Sequence, residues 1–264
     1  MLGAVAGDII GSYLEFRYIK RYDFPLFMRD SHFTDDTVMT LAVAKWLMES
    51  PDHSSNDLIY ELKNFGKKYP NRGYGGLFLD WLFIDLDSSQ PYNSWGNGSA
   101  MRVSPVGLYA KSIEEVLSLA EKSAIVSHNH PEGLKGAQSV ALSVFLAKNE
   151  VSKDKIKEEI TNRFGYDLNR KIDQIRSNYE WDAYCQGYVP ESIIAFLEGK
   201  DFEDIVRLAI SLGGHTDTMA CIAGSIAACI YSIPERIIIE CEKRLPSDLL
   251  EIINRFENHI MKDN

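Results

Sequence analysis

Apolar positions return every three or four residues along most of this chain, whereas the strict alternation of a half-buried strand is scarce. That period predicts helices over 2–16, 34–48, 56–69, 76–86, 112–126, 136–148, 154–164, 169–177, 192–197, 202–212, 219–231, 234–241 and 246–259. Local chemistry marks several of the boundaries. Ser112-Ile-Glu-Glu115 is a capping box, and Pro190-Glu191, Pro234 and Pro246 are good helix openings. In the first helix Gly3, Gly7 and Gly11 recur at i,i+4, so they share one face and let another helix approach closely. The 219–231 stretch consists of small and apolar residues with no charge and must be central, while 154–164 and 169–177 are charged and amphipathic and cover the outside. The run 90–105 fits no regular element. The chain therefore reads as all-α with more than ten helices. No linker rich in Pro, Gly or Ser divides it, which makes one domain over 1–264 the expectation.

Two polar clusters stand at the mouths of apolar helices. One is His32-Phe-Thr-Asp-Asp-Thr-Val38, and the other is Gly213-Gly-His-Thr-Asp-Thr218, far along the chain. A helix entrance leaves backbone N–H groups unpaired, so Thr34 or Asp35 can cap the second helix and its carboxylates favour the positive end. Capping needs only one such group. Two adjacent carboxylates flanked by threonines repel each other unless a proton or a cation lies between them. If the fold joins the two clusters, their hard oxygen ligands make a magnesium or manganese site. Glu15, at the end of the first predicted helix, is read equally as a solvated terminus or as a group aimed into a central cleft. Ser94-Trp-Gly-Asn-Gly-Ser-Ala-Met-Arg102 exposes backbone N–H groups that can cup an anion, or else it is a plain turn.

Composition narrows the partners. A formal charge of -10 over 264 residues, without a Lys/Arg cluster, argues against a nucleic-acid backbone as the main partner. A free nucleotide stays open, because a metal ion and helix N-termini can hold a diphosphate in an acidic protein. The apolar start has no basic n-region and is interrupted by Asp8, which fits neither a signal peptide nor a membrane span. Cys185, Cys221, Cys229 and Cys241 have no CxxC spacing and read as reduced thiols of a cytoplasmic protein. Several polar helix faces suit a monomer.

Five segments, in order, resemble the ADP-ribosylglycohydrolase family of the dinitrogenase-reductase-activating type. They are Gly3-Ala-Val-Ala-Gly-Asp-Ile-Ile-Gly-Ser-Tyr-Leu-Glu15, Phe33-Thr-Asp-Asp-Thr37, Gly96-Asn-Gly-Ser-Ala-Met-Arg102, Ser127-His-Asn-His-Pro131 and Leu212-Gly-Gly-His-Thr-Asp-Thr218. The resemblance implies an orthogonal multi-helix bundle that releases ADP-ribose from a protein side chain such as arginine or from a small conjugate, with modified nucleic acid left open. It implies one or two Mg2+ or Mn2+ ions held by Thr34, Asp35, Asp36, Asp217 and Thr218. It also puts Gly96, Asn97, Gly98 and Ser99 around ADP-ribose, His128 in the substrate cleft and Glu15 near the metals. The expected catalytic groups are Glu15, with Asp35 and Asp36 beside the reacting carbon.

One residue departs from the family pattern, because His215 stands where a carboxylate is usual. Imidazole binds manganese, iron or zinc through one nitrogen but cannot bridge two ions and suits magnesium poorly. The site then keeps two ions, keeps one ion, or has lost hydrolysis and retains ADP-ribose binding. From the residues alone, a metal-dependent phosphoester hydrolase acting on a nucleotide is the competing enzyme.

Overall fold

The computed structural model describes residues 1–17, 19–85, 89–180 and 184–262. Among the described residues there are fifteen helices and no strand, only an isolated bridge between Gly96 and Tyr184. The first helix, α1 (Leu2–Ser12), is followed by an irregular stretch that leads into α2 (Asp35–Glu49) and α3 (Ser55–Lys68). Short helices follow: α4 (Gly76–Phe83), α5 (Gly98–Met101) and α6 (Ser104–Tyr109). The longer α7 (Ile113–Ile125) and α8 (Pro131–Lys148) come next, then α9 (Lys153–Phe164), α10 (Ile172–Asn178), α11 (Cys185–Glu198) and α12 (Phe202–Ile210). The central α13 (Thr216–Ala227) precedes α14 (Glu235–Glu242) and α15 (Ser247–Lys262).

All twelve residues of α13 are buried. That environment explains its composition, since an all-round apolar helix needs neighbours on every side. Its tightest neighbour is α1, which runs antiparallel to it with Gly3 against Gly224, Gly7 against Ala220 and Gly11 against Thr216. A Cβ on Gly7 would overlap the Ala220 carbonyl, so the glycine face predicted from the i,i+4 spacing is what sets the interhelix distance. Thr216 Oγ1 locks the top of the pair by donating to the Gly11 carbonyl at 2.8 Å. Around this pair the buried side chains form one contiguous cluster that takes in residues from Val5 to Phe256. By contrast, α9 buries only Ile156 and Ile160, as an outer amphipathic helix should.

Several boundaries differ from expectation. The first helix stops at Ser12 rather than 16, where the chain turns and Phe16 takes a left-handed φ of 61°. The stretch 90–105 holds the short α5 and the start of α6, and α8 begins at Pro131 instead of 136, with His130 as its cap accepting from the Glu132 N–H at 3.2 Å. Pro190 opens no helix; it lies inside α11, where it forgoes its own hydrogen bond, while Tyr184 is the N-cap and Cys185 the first helical residue. Leu86, the expected end of the fourth helix, lies outside the described residues. At Ser112 the capping box forms, but Glu115 reaches back to the Lys111 N–H at 2.7 Å. No helix among the described residues is long and apolar enough to cross a membrane.

Candidate active site

The turn into α2 is built around a carboxylate that belongs to α1. Asp8 is fully buried and accepts from the Thr34 N–H at 3.0 Å, Thr34 Oγ1 at 2.7 Å, the Thr37 N–H at 3.1 Å and Thr37 Oγ1. Burial pushes its pKa up, against the pull of those four donors. The strap fixes the start of α2, where Thr34 Oγ1 also caps the Asp36 N–H at 3.3 Å and Asp35 N–H donates to the Arg72 carbonyl at 2.7 Å. Asp36 is thereby aimed at α13. Its Oδ2 accepts from Thr218 Oγ1 at 3.2 Å, joining clusters 182 residues apart in sequence. Its Oδ1 is buried with no hydrogen-bond partner among the described residues.

At the head of α13, Gly213 and Gly214 take φ values of 79° and 83°, a left-handed pair that a side chain would strain. The turn they make presents His215 as the helix cap and Asp217 in the first turn. His215 Nδ1 lies 2.7 Å from Glu15 Oε1, its ring meets Phe16 edge-on at 5.3 Å, and Tyr188 tilts against it at 5.5 Å. Ligand atoms of Glu15, His215 and Asp217 fall within 4.8 Å of one another. Burial, and then the charges of their neighbours, raise the pKa values of Asp35, Asp36 and Asp217 well above the ordinary carboxylate range. For Asp36 the largest neighbouring charge is Asp217, followed by Asp8, Asp35 and Glu15. An unpartnered buried oxygen within mutually repelling carboxylates is the environment a divalent cation relieves, and the donors fit one: carboxylate and hydroxyl oxygens with a single imidazole nitrogen.

These groups line one part of a cleft of about 1060 Å³, counting its open mouth. Gly96, Asn97 and Gly98 line another part, with Arg102 and His128 behind them and Phe78 and Tyr92 adding apolar wall. The space accommodates a ligand of nucleotide size with a polar anchor and a glycine-lined backbone surface.

A profile of the ADP-ribosylglycohydrolase family matches residues 1–264. The chain belongs to the ADP-ribosylglycohydrolase family. That makes it an enzyme of the ADP-ribosylglycohydrolase class. ADP-ribosylhydrolase ARH3 from Gallus gallus is 27% identical over 308 residues, covering 88% of this chain and 84% of that protein. ARH3 from Homo sapiens is 26% identical over 327 residues, covering 95% and 90%. ADP-ribosylarginine hydrolase Tri1 from Pseudomonas putida (strain GB-1) is 24% identical over 267 residues, covering 88% and 70%. A solved structure titled ADP-ribosylglycohydrolase-related protein complex shares the fold with a TM-score of 0.72 at 24% identity, over 97% of this chain and 95% of that one.

Within this family member the cleft gathers Glu15, Asp35, Asp36, Gly96, Asn97, Gly98, His128, His215, Asp217 and Thr218 from five separate stretches of the chain. Two candidates fall elsewhere. Thr34 is buried behind Asp36, its hydroxyl engaged with Asp8, and so acts from beneath the cleft wall. Ser99 is also buried, and its hydroxyl donates to the Gly133 carbonyl at 2.8 Å, which ties α5 to α8 rather than contacting the cleft. Sequence reasoning missed Asp8, although a lone charge inside an otherwise apolar helix was a usable signal. It also missed Arg102, which is 1% exposed and lines the cleft with its Nε unpartnered.

Proposed function

We propose that this protein hydrolyses the glycosidic bond between ADP-ribose and an acceptor, most simply a modified protein side chain such as arginine, in a reaction that depends on Mg2+ or Mn2+. The observation that carries this reading is Asp36 Oδ1, buried and unpartnered where the two acidic clusters meet, in a cleft whose other part is the Gly96–Gly98 turn. Asp35, Asp36, His215, Asp217 and Thr218 would hold the cation, with Thr34 behind them and Glu15 beside it. When bound, such an ion supplies positive charge that orients ribose hydroxyls and water.

The remaining chemistry belongs to the chain. The glycosidic bond at the anomeric carbon breaks, water forms the new bond to that carbon, and the departing acceptor atom gains a proton. Glu15 is the group we assign to proton transfer, since it lines the cleft and retains partial exposure beside His215. Asp35 and Asp36 are the carboxylates we assign to stabilising an oxocarbenium-like centre by their negative charge. Asn97 and Gly98 are the residues we assign to offering backbone N–H groups to the diphosphate, the Gly96 N–H being taken up by Ser94 Oγ at 3.1 Å. We further propose that the whole of 1–264 acts as one domain.

One contact favours a second reading. The hydrogen bond from His215 to Glu15 engages the proton-transfer group, as would suit a protein that binds ADP-ribose without turnover. A single assay separates them. ADP-ribose release is measured from arginine-, serine- and nucleic-acid-linked substrates, after chelation and again with Mg2+ or Mn2+ restored. Metal-restored release from one linkage supports the hydrolase and names its acceptor. Tight ADP-ribose binding without release supports the binding protein, and phosphate release would instead indicate a phosphoester hydrolase.

A further inference from the structure

Behind the Gly96–Gly98 turn, three side chains form a buried relay that ends on a ring nitrogen. Arg102 Nη2 donates to the Ser123 carbonyl at 2.7 Å and to Ser127 Oγ at 2.9 Å. Ser127 Oγ in turn lies 2.8 Å from His128 Nδ1. A guanidinium has donors only, so Ser127 accepts from Arg102 and must send its own hydroxyl proton elsewhere. Ser127 is fully buried, and among the described residues His128 Nδ1 is the acceptor it reaches. The hydroxyl therefore donates to Nδ1, which leaves the ring proton on Nε2.

The direction of that proton follows from Gly98. A Cβ on residue 98 would lie 2.9 Å from His128 Nε2, so the ring edge faces the bare backbone of the turn in a cleft that His128 itself lines. Nε2 has no protein partner among the described residues. The charged form of the ring is opposed by burial and by the Arg102 cation, which together push the His128 pKa well below its ordinary value. Among the described residues no carboxylate is paired with Arg102 to neutralise it. Its pKa is lowered by burial to about 10, and its acidic neighbour is Tyr92, a phenol raised to about 12 and hence uncharged.

We propose that Arg102 and Ser127 are positioning residues that hold His128 as the neutral Nε2–H tautomer, a donor aimed at an oxygen of the nucleoside diphosphate sugar lying along Gly96–Gly98. The ligand half of this rests on the function proposed above; the tautomer half does not. A phosphate oxygen and a ribose hydroxyl are both acceptors for such a donor.

Ring-nitrogen NMR on protein carrying 15N-labelled histidine reads which nitrogen bears the proton. His128 is expected to remain a single neutral Nε2–H species through the range near pH 6.5 in which an ordinary histidine titrates, and its signal should move when ADP-ribose is added. Ser127→Ala should let the Nδ1–H tautomer appear and weaken ADP-ribose binding by about 3- to 10-fold, the effect of one hydrogen bond. Ser127→Thr, which keeps the hydroxyl, should restore both, a result a purely structural role for Ser127 would not give. Arg102→Gln should raise the pH at which His128 charges; should that variant fail to fold, the Ser127 pair still decides. Equal weakening of ADP and ADP-ribose in Ser127→Ala assigns the phosphate oxygen, and weakening of ADP-ribose alone assigns the ribose. A proton on Nδ1 in the wild type, or unchanged affinity in Ser127→Ala, overturns the proposal. Nε2–H without any ADP-ribose binding upholds the tautomer, overturns the donor role and places the failure in the functional reading.

Discussion

Glu15 and His215 share a hydrogen bond, yet substitution should separate their roles. Glu15→Gln keeps the shape and removes the proton acceptor, so turnover should drop by about 100-fold or more while the ADP-ribose Kd stays within about threefold. Unchanged turnover would remove Glu15 from the mechanism. His215→Asp restores a hard oxygen donor and should move the preference from Mn2+ toward Mg2+, read by calorimetric titration of each ion without substrate. The carboxylates make a pH prediction as well. Asp35, Asp36 and Asp217 have folded pKa values raised by burial and by their neighbours, so the folded metal-free protein holds protons that the unfolded chain has released above about pH 4. Metal-free stability from these groups is thus present at low pH and lost as pH rises through the raised values. The gain in Tm on adding Mg2+ or Mn2+ should grow between about pH 5 and 8, and a gain independent of pH would speak against cation binding at these groups. These acidic clusters were legible because adjacent carboxylates at a helix mouth exceed capping. The relay through Arg102 and Ser127 was not, since hydroxyl partners 25 residues apart carry no spacing signature.

Helices were legible where a periodic face was long, as in α2, α7, α12 and α15, and illegible where tertiary contacts decide. α5 has four residues and α6 has six, too few to show a period, and α5 is fastened by the Ser99 bond to α8. Pro190 misled because its cost as a helix opener is nil, while here α11 tolerates it one turn further in. The packing of α1 against α13 yields a contrast between two substitutions. Gly7→Ala must push the helices apart and should cost about 1–3 kcal/mol or more, because the atom it meets is backbone that cannot swing aside. Ser112→Ala removes the cap of the more distant α7 and should cost about 1 kcal/mol. Thermal unfolding ranks the two, and only Gly7→Ala should also weaken ADP-ribose binding, since α1 carries the strap to the acidic turn.

The all-α class and its many helices were readable from the chain, whereas the way the elements close on one another was not: the cleft joins side chains from both ends of the sequence through contacts that no local window contains. Thr216 bonds to Gly11 across 205 residues, and Glu15 meets His215 across 200. This closure has a consequence during synthesis. A ribosome adding about 5–20 residues per second needs roughly 10–40 s to make the chain between the two helices, and throughout that interval α1 is present without the groove that accepts its glycine face. The apolar α1 must therefore be sheltered or idle until α13 emerges, and the acidic turn strapped by Asp8 waits with it. Metal affinity should accordingly arrive as a late step, sensitive to how fast the last third of the polypeptide is delivered.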